Sequence, residues 1–237
     1  MNTIREQISV DGNPMNLFSA CPDGNGPLPA VVVIQHQYGV DKFMEEMTER
    51  FARDGYFAIC PDLYHRDGPD CQDDGPTRRG RARDSNIIND VNATMAHLRG
   101  NKLVDSKRVA ILGFCMGGRV SYLAACEVPA IRAAVPFYGG GIAGQQFAPG
   151  AAAPVSLTAK MRAAIQLHFG ENDSYIPPSA VEEIRQALVR EKKDHEIHVY
   201  KGAGHGFFCR ERAAYNEEAA KLAWERTKGF FKKQLQG

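Results

Sequence analysis

Apolar positions along the 237-residue chain follow two spacings. Short, mostly apolar runs predict strands at Ala30–Ile34, Tyr56–Cys60, Val109–Leu112, Ala133–Tyr138, Ala163–Phe169 and Glu196–Tyr200. The β-branched run A-V-V-V-I at residues 30–34 is the mark of a strand buried on both faces of a parallel sheet. Between these runs, apolar residues recur at three- and four-residue steps. They do so at Phe43, Met44, Met47 and Phe51; at Ile87, Ile88, Val91, Met95 and Leu98; at Val181, Ile184 and Leu188; and at Ala220, Ala223, Trp224, Thr227 and Phe231. Each set predicts a helix with one buried face. Gly55 ends the first, and Asp84 or Ser85 caps the second. Near the start, Ile8–Val10 and Met15–Phe18 flank Asp11-Gly12-Asn13-Pro14, which is hairpin turn chemistry. Residues 65–80, rich in Asp, Gly, Pro and Arg, show no period and predict a long irregular loop. Residues 143–154 are small and predict no element. Strand and helix alternate without repeat or linker, so residues 1–237 are expected to form a single α/β domain: a mostly parallel central sheet with helices on both faces.

Composition narrows the function. A net charge of +1 gives no electrostatic case for nucleic acid or an anionic membrane. Six cysteines are scattered without C-x-x-C spacing, which argues against a zinc site or a disulfide framework. The first ten residues lack the apolar core of a signal peptide, and no stretch approaches a membrane span, so a cytoplasmic location with reduced thiols is expected. A small-molecule substrate, no cofactor, and a monomer or weak homodimer complete the expectation.

The candidate chemistry centres on Arg108 to Arg119, R-V-A-I-L-G-F-C-M-G-G-R. A strand runs into Gly113, Cys115 and Gly117 at alternate positions, followed by helix-compatible residues. This G-x-C-x-G pattern predicts a nucleophile elbow, whose strained apex tolerates no bulk two places to either side. A helix N-terminus aimed at the sulfur favours thiolate. Two further residues fall in loops after predicted strands: Asp173 after Ala163–Phe169, and His205 in G-A-G-H-G-F after Glu196–Tyr200. Glu171 competes with Asp173 for the acid role. Nucleophile, acid, histidine is the chain order of α/β-hydrolases, in which the base needs a carboxylate to fix its tautomer. Two other readings stay open: a binding or sensing protein with a reactive thiol, and a metal-assisted hydrolase using His36, His65, Asp62, Asp67, Asp70 and Asp73.

Together, A-V-V-V-I-Q-H-Q-Y-G, G-Y-F-A-I-C-P-D-L-Y, G-F-C-M-G-G-R, F-G-E-N-D and G-A-G-H-G-F resemble the dienelactone hydrolases (carboxymethylenebutenolidases), single-domain α/β-hydrolases with a Cys-His-Asp triad. The resemblance implies that Cys115 attacks a lactone or ester carbonyl, giving a thioacyl intermediate. It further implies that His205 shuttles the proton, that Asp173 orients His205, and that the backbone N–H groups of Met116 and Gln37 hold the oxyanion. Tyr64 and Arg66 match positions that line the pocket and hold a substrate carboxylate, and Arg210 falls one place from a second such arginine. The chain departs from the family pattern at His36, where a glutamate is usual. A histidine there could pair with the thiolate, act as a second base or bind an anionic group.

Overall fold

A computed structural model describes residues 1–24, 26–68, 70–144 and 152–236. Eight strands form one sheet: β1 (Asn2–Val10), β2 (Asn13–Cys21), β3 (Leu28–Ile34), β4 (Phe57–Pro61), β5 (Val104–Phe114), β6 (Ala133–Phe137), β7 (Ala164–Gly170) and β8 (His195–Tyr200), in the order β1-β2-β4-β3-β5-β6-β7-β8. The β1–β2 hairpin and the β2–β4 pairing are antiparallel, and every other neighbour is parallel. Strands β3 and β5 lie at the centre, with Ala30 to Ile34 and Val109 to Leu112 all at 0% exposure. That burial explains the unbroken apolar runs: neither face of these strands meets water.

The helices are α1 (Lys42–Arg53), α2 (Gly75–Arg81), α3 (Asp84–Gly100), α4 (Met116–Glu127), α5 (Pro178–Arg190) and α6 (Glu217–Gln236). Asp41 caps α1, its side chain accepting from the Met44 N–H at 3.2 Å. Residues 65–80 are not one irregular loop. His65–Asp67 form a 3₁₀ turn, and α2 follows, its Asp74 cap accepting from the Thr77 N–H at 2.8 Å. Helix α2 carries no apolar stripe, so periodicity misses it; its signal is Asp74 followed by proline in the first turn. The capping expectation for α3 also changes. Arg83 holds the N-cap position without a side-chain capping bond, while Asp84 turns to the buried Arg119 at 2.6 and 2.9 Å. A bidentate partner buried on α4 outweighs a local cap. Residues 145–151 of the uninformative 143–154 stretch lie outside the described residues, and Pro154–Lys160 form a 3₁₀ turn.

The chain reversal between β5 and α4 tolerates no added bulk. A Cβ on Gly113 would stand 2.3 Å from the Gly117 carbonyl oxygen, and one on Gly117 would stand 2.4 Å from that of Ile34. Both obstacles are backbone and cannot swing aside. Gly113→Ala is therefore expected to destabilise the protein by about 3 kcal/mol or more in urea unfolding. A change below ~1 kcal/mol would mean that the turn has room for a methyl group.

Candidate active site

Cys115 occupies the apex between β5 and α4 with φ 55° and ψ −113°, a conformation rare for a side chain larger than hydrogen. Its N–H donates to the Phe137 carbonyl at 3.0 Å, and its own carbonyl accepts from Gly118 at 3.0 Å, so neighbouring backbone over-determines the strained residue. The sulfur stands at the N-terminus of α4 and remains partly accessible.

The turn after β8 brings His205 to it. His205 Nε2 lies 3.2 Å from Cys115 Sγ, and His205 Nδ1 lies 2.8 Å from Asp173 Oδ2. The other Asp173 oxygen accepts from the Tyr175 and Ile176 N–H groups at 2.9 and 3.2 Å. Both oxygens of this buried carboxylate are thereby partnered, and the imidazole is held with Nδ1–H toward the acid. Glu171 is directed elsewhere, accepting from the Gly202 N–H at 2.9 Å. The rings of Tyr138 and Tyr175 meet the His205 ring edge-on, with centroids 5.2 and 5.0 Å away. Burial disfavours the imidazolium, but the hydrogen bonds to Asp173 and Cys115 outweigh it and raise the His205 pKa from 6.5 to about 9. A raised folded-state value stabilises the protein fully below the unfolded value, and that contribution is lost as pH rises through about 9.

Gln37 and Met116 approach each other through Tyr64. The Tyr64 hydroxyl donates to the Gln37 carbonyl at 3.0 Å and lies 3.2 Å from Met116 Sδ. Gly75, the first residue of α2, backs onto the same carbonyl: a Cβ there would stand 2.5 Å from Gln37 O. Tyr64 is thus buried between the Gln37 loop and the first residue of α4.

The arginines are distributed differently from expectation. Arg66 is turned to α3 and the hairpin, with Nη1 and Nη2 at 2.9 and 2.8 Å from the two carboxylate oxygens of Asp90, and Nη2 also 2.7 Å from Asp11. Asp90 is fully buried and also meets His65 Nε2 at 3.1 Å, so Arg66 serves as the counter-ion of an interior carboxylate. Arg210 is exposed and directed to the Tyr215 hydroxyl. Two other arginines flank the site. The Arg78 guanidinium lies 4.3 Å from the Tyr64 ring centroid while its Nε donates to Asp67 at 2.8 Å. That of Arg212 lies 4.3 Å from the Tyr38 ring. Sequence reasoning missed both: Arg78 stands in a helix without a period, and Arg212 lies seven places past His205.

The acidic residues of 62–73 do not gather. Asp67 pairs with Arg78 and Arg81, Asp73 with Arg81, and His36 with Asp41. Among the described residues, no group of three or more His, Cys, Asp or Glu side chains is placed to hold a metal ion.

An eight-stranded, mostly parallel sheet with a cysteine elbow, a carboxylate and a histidine at its carboxyl edge defines an α/β-hydrolase fold. Comparison with known proteins narrows the class. Residues 15–235 match the model of the dienelactone hydrolase family, and the chain belongs to that family. It is 37% identical over 227 residues to a protein of Synechocystis sp. named "Putative carboxymethylenebutenolidase", covering 92% of this chain and 91% of the relative. It is also 30% identical to a Bradyrhizobium protein named "Probable 2-oxo-3-(5-oxofuran-2-ylidene)propanoate lactonase", covering 93% and 90%. The crystal structure titled a "Putative Dienelactone Hydrolase" from Klebsiella pneumoniae superposes with a TM-score of 0.87 at 33% identity, covering 98% of this chain and 99% of that one. The protein is accordingly a hydrolase of ester bonds. Among the described residues no helix is long and apolar enough to cross a membrane.

Proposed function

We propose that the protein hydrolyses a small anionic lactone or ester through a thioacyl intermediate on Cys115. The observation that carries this reading is the continuous chain from Asp173 through His205 to the Cys115 sulfur, with links of 2.8 and 3.2 Å. In the resting pair, the imidazolium of His205 faces the Cys115 thiolate. The sulfur attacks the carbonyl carbon, and the negative charge passes to the carbonyl oxygen, held by the Met116 and Gln37 N–H groups. The carbon–oxygen bond of the ring or ester breaks as His205 Nε2–H delivers its proton to the departing oxygen. Water then attacks the thioester and gives a proton to Nε2, and the thiolate leaves with the carboxylic acid product released. Asp173 keeps Nδ1–H in place throughout, so Nε2 is the nitrogen free for transfer.

An anionic substrate is supported by the cations at the edge of the site, and Arg78 and Arg212 are the residues we assign to its carboxylate. Both lie against aromatic rings of the Gln37 loop or its clamp, at 4.3 Å in each case. The Bradyrhizobium relative's named substrate is itself a lactone bearing a carboxylate. The test is a screen of lactones and aryl esters, each with and without a carboxylate. Arg78→Ala and Arg212→Ala should raise KM for anionic members by roughly tenfold each, equivalent to about 1.4 kcal/mol, and leave neutral members near wild type. Arg66→Ala should show no such selectivity and should instead destabilise the fold by about 3 kcal/mol, because it strands Asp90. Equal losses on neutral and anionic substrates would remove the anion from the proposal.

A further inference from the structure

The residue that departs from the family pattern, His36, has one ring nitrogen bonded within its own loop and the other close to a carboxylate at the start of α1. Its Nδ1 accepts from the Tyr38 N–H at 3.1 Å, so Nδ1 carries no proton. The ring proton therefore sits on Nε2, which lies 3.0 Å from Asp41 Oδ2. The ring is buried and stacks on Phe43, with centroids 6.1 Å apart. Asp41 is itself fixed, because its other oxygen caps α1 through the Met44 N–H. Burial works against the Asp41 charge, but His36, the Met44 N–H and Arg212 outweigh it and hold its pKa below the ordinary value.

The consequence concerns the backbone of residues 36–39. The His36 carbonyl accepts from the Gly39 N–H at 3.2 Å, closing a four-residue turn with Gln37 and Tyr38 at its centre. In a trans peptide the C=O and N–H point in opposite directions. Holding the His36 carbonyl inward on Gly39 therefore turns the Gln37 N–H outward, away from the turn. The next peptide unit is gripped from both ends: Tyr64 O–H holds the Gln37 carbonyl at 3.0 Å, and His36 Nδ1 holds the Tyr38 N–H.

We infer that His36 is a positioning residue whose imidazole, with Nδ1 accepting from the Tyr38 N–H, locks the 36–39 turn so that the Gln37 N–H faces the reacting carbonyl oxygen. This rests on the reading of Gln37 as an oxyanion donor. It gives His36 a task that a carboxylate beside the sulfur would not perform, and it leaves the cysteine to His205 alone.

The test compares His36→Leu, which has no acceptor, with His36→Asn, whose side-chain oxygen can accept an N–H two residues on. With an aryl ester, His36→Leu should lose roughly 10- to 100-fold in kcat with KM changed by less than about threefold, since only the transition-state oxyanion needs the donor. His36→Asn should recover most of the loss. Alkylation of Cys115 by iodoacetamide needs no oxyanion donor and should proceed at wild-type rate in both. An asparagine variant no better than leucine, or an alkylation rate that falls with kcat, would overturn the inference, the latter by tying His36 to the sulfur. A second readout is independent of turnover. Nitrogen-15 NMR of the wild-type protein should show His36 with Nδ1 unprotonated, and the Tyr38 amide should exchange faster in His36→Leu than in His36→Asn. A proton on Nδ1 overturns the turn lock even if the ester chemistry stands. An inert wild-type enzyme with the expected tautomer would sink the oxyanion reading and leave the lock.

Discussion

Replacing Cys115 by alanine should cut turnover of a small lactone or aryl ester by roughly 10⁴-fold or more, because loss of a nucleophile removes the covalent route altogether. The fold should survive, since the Cys115 backbone N–H and carbonyl bonds at 3.0 Å do not involve the side chain. Cys115→Ser should fall between the two enzymes. A hydroxyl must lose its proton during attack, whereas in the proposed pair the reacting sulfur, 3.2 Å from His205 Nε2, has already passed its proton to the imidazole. Turnover by Cys115→Ala within about tenfold of wild type would place the chemistry on another residue.

The second large effect belongs to Asp173→Asn. The carboxylate is buried and engaged by His205, Tyr175 and Ile176, so an amide of the same shape fits with little disturbance. What it changes is the proton. The Asp173 hydrogen bond raises the His205 pKa, so its loss lowers that value from about 9 and weakens the imidazolium facing the sulfur. An amide can also donate to Nδ1 and turn the imidazole to the wrong tautomer. A fall in kcat of roughly 10³-fold is expected, with slower iodoacetamide alkylation of Cys115 near neutral pH. Alkylation unchanged across the pH range would show that Asp173 does not govern the pair.

Much of this arrangement could be read in the residues because the physics behind it is local. The apolar runs at 30–34 and 109–112 announce central strands, since burial on both faces leaves no polar alternate positions. The G-F-C-M-G elbow announces itself because only glycine fits beside the Gly113–Gly117 contact. His205 and Asp173 follow from their places after strands. The features that escaped are those set by partners far along the chain. Arg66 reads as a pocket cation until Asp90, 24 residues later, takes both of its terminal nitrogens. Asp84 reads as a cap until Arg119 claims it across 35 residues. Helix α2 escaped for the opposite reason: its cap is visible, but a helix of charged residues has no stripe to count. The surroundings of His36 escaped because they depend on how its own loop turns, which brings the Tyr38 N–H to Nδ1 and Asp41 to within 3.0 Å of Nε2.

Arg66, Asp90 and His65 also support the site indirectly. They secure the 3₁₀ turn that follows Tyr64, and Tyr64 in turn clamps the Gln37 carbonyl. A buried ion pair is weak evidence for stability in itself, but here it sets where one hydroxyl stands.

The most direct measurement is to trap the intermediate. A slowly deacylating aryl ester mixed with excess enzyme should release a burst of one equivalent of phenol, and mass spectrometry of the digested protein should find the acyl group on the peptide carrying Cys115. A stoichiometric burst with the acyl mass on that cysteine is the predicted result. Steady turnover with no burst and no adduct, or an adduct on a different residue, would contradict it.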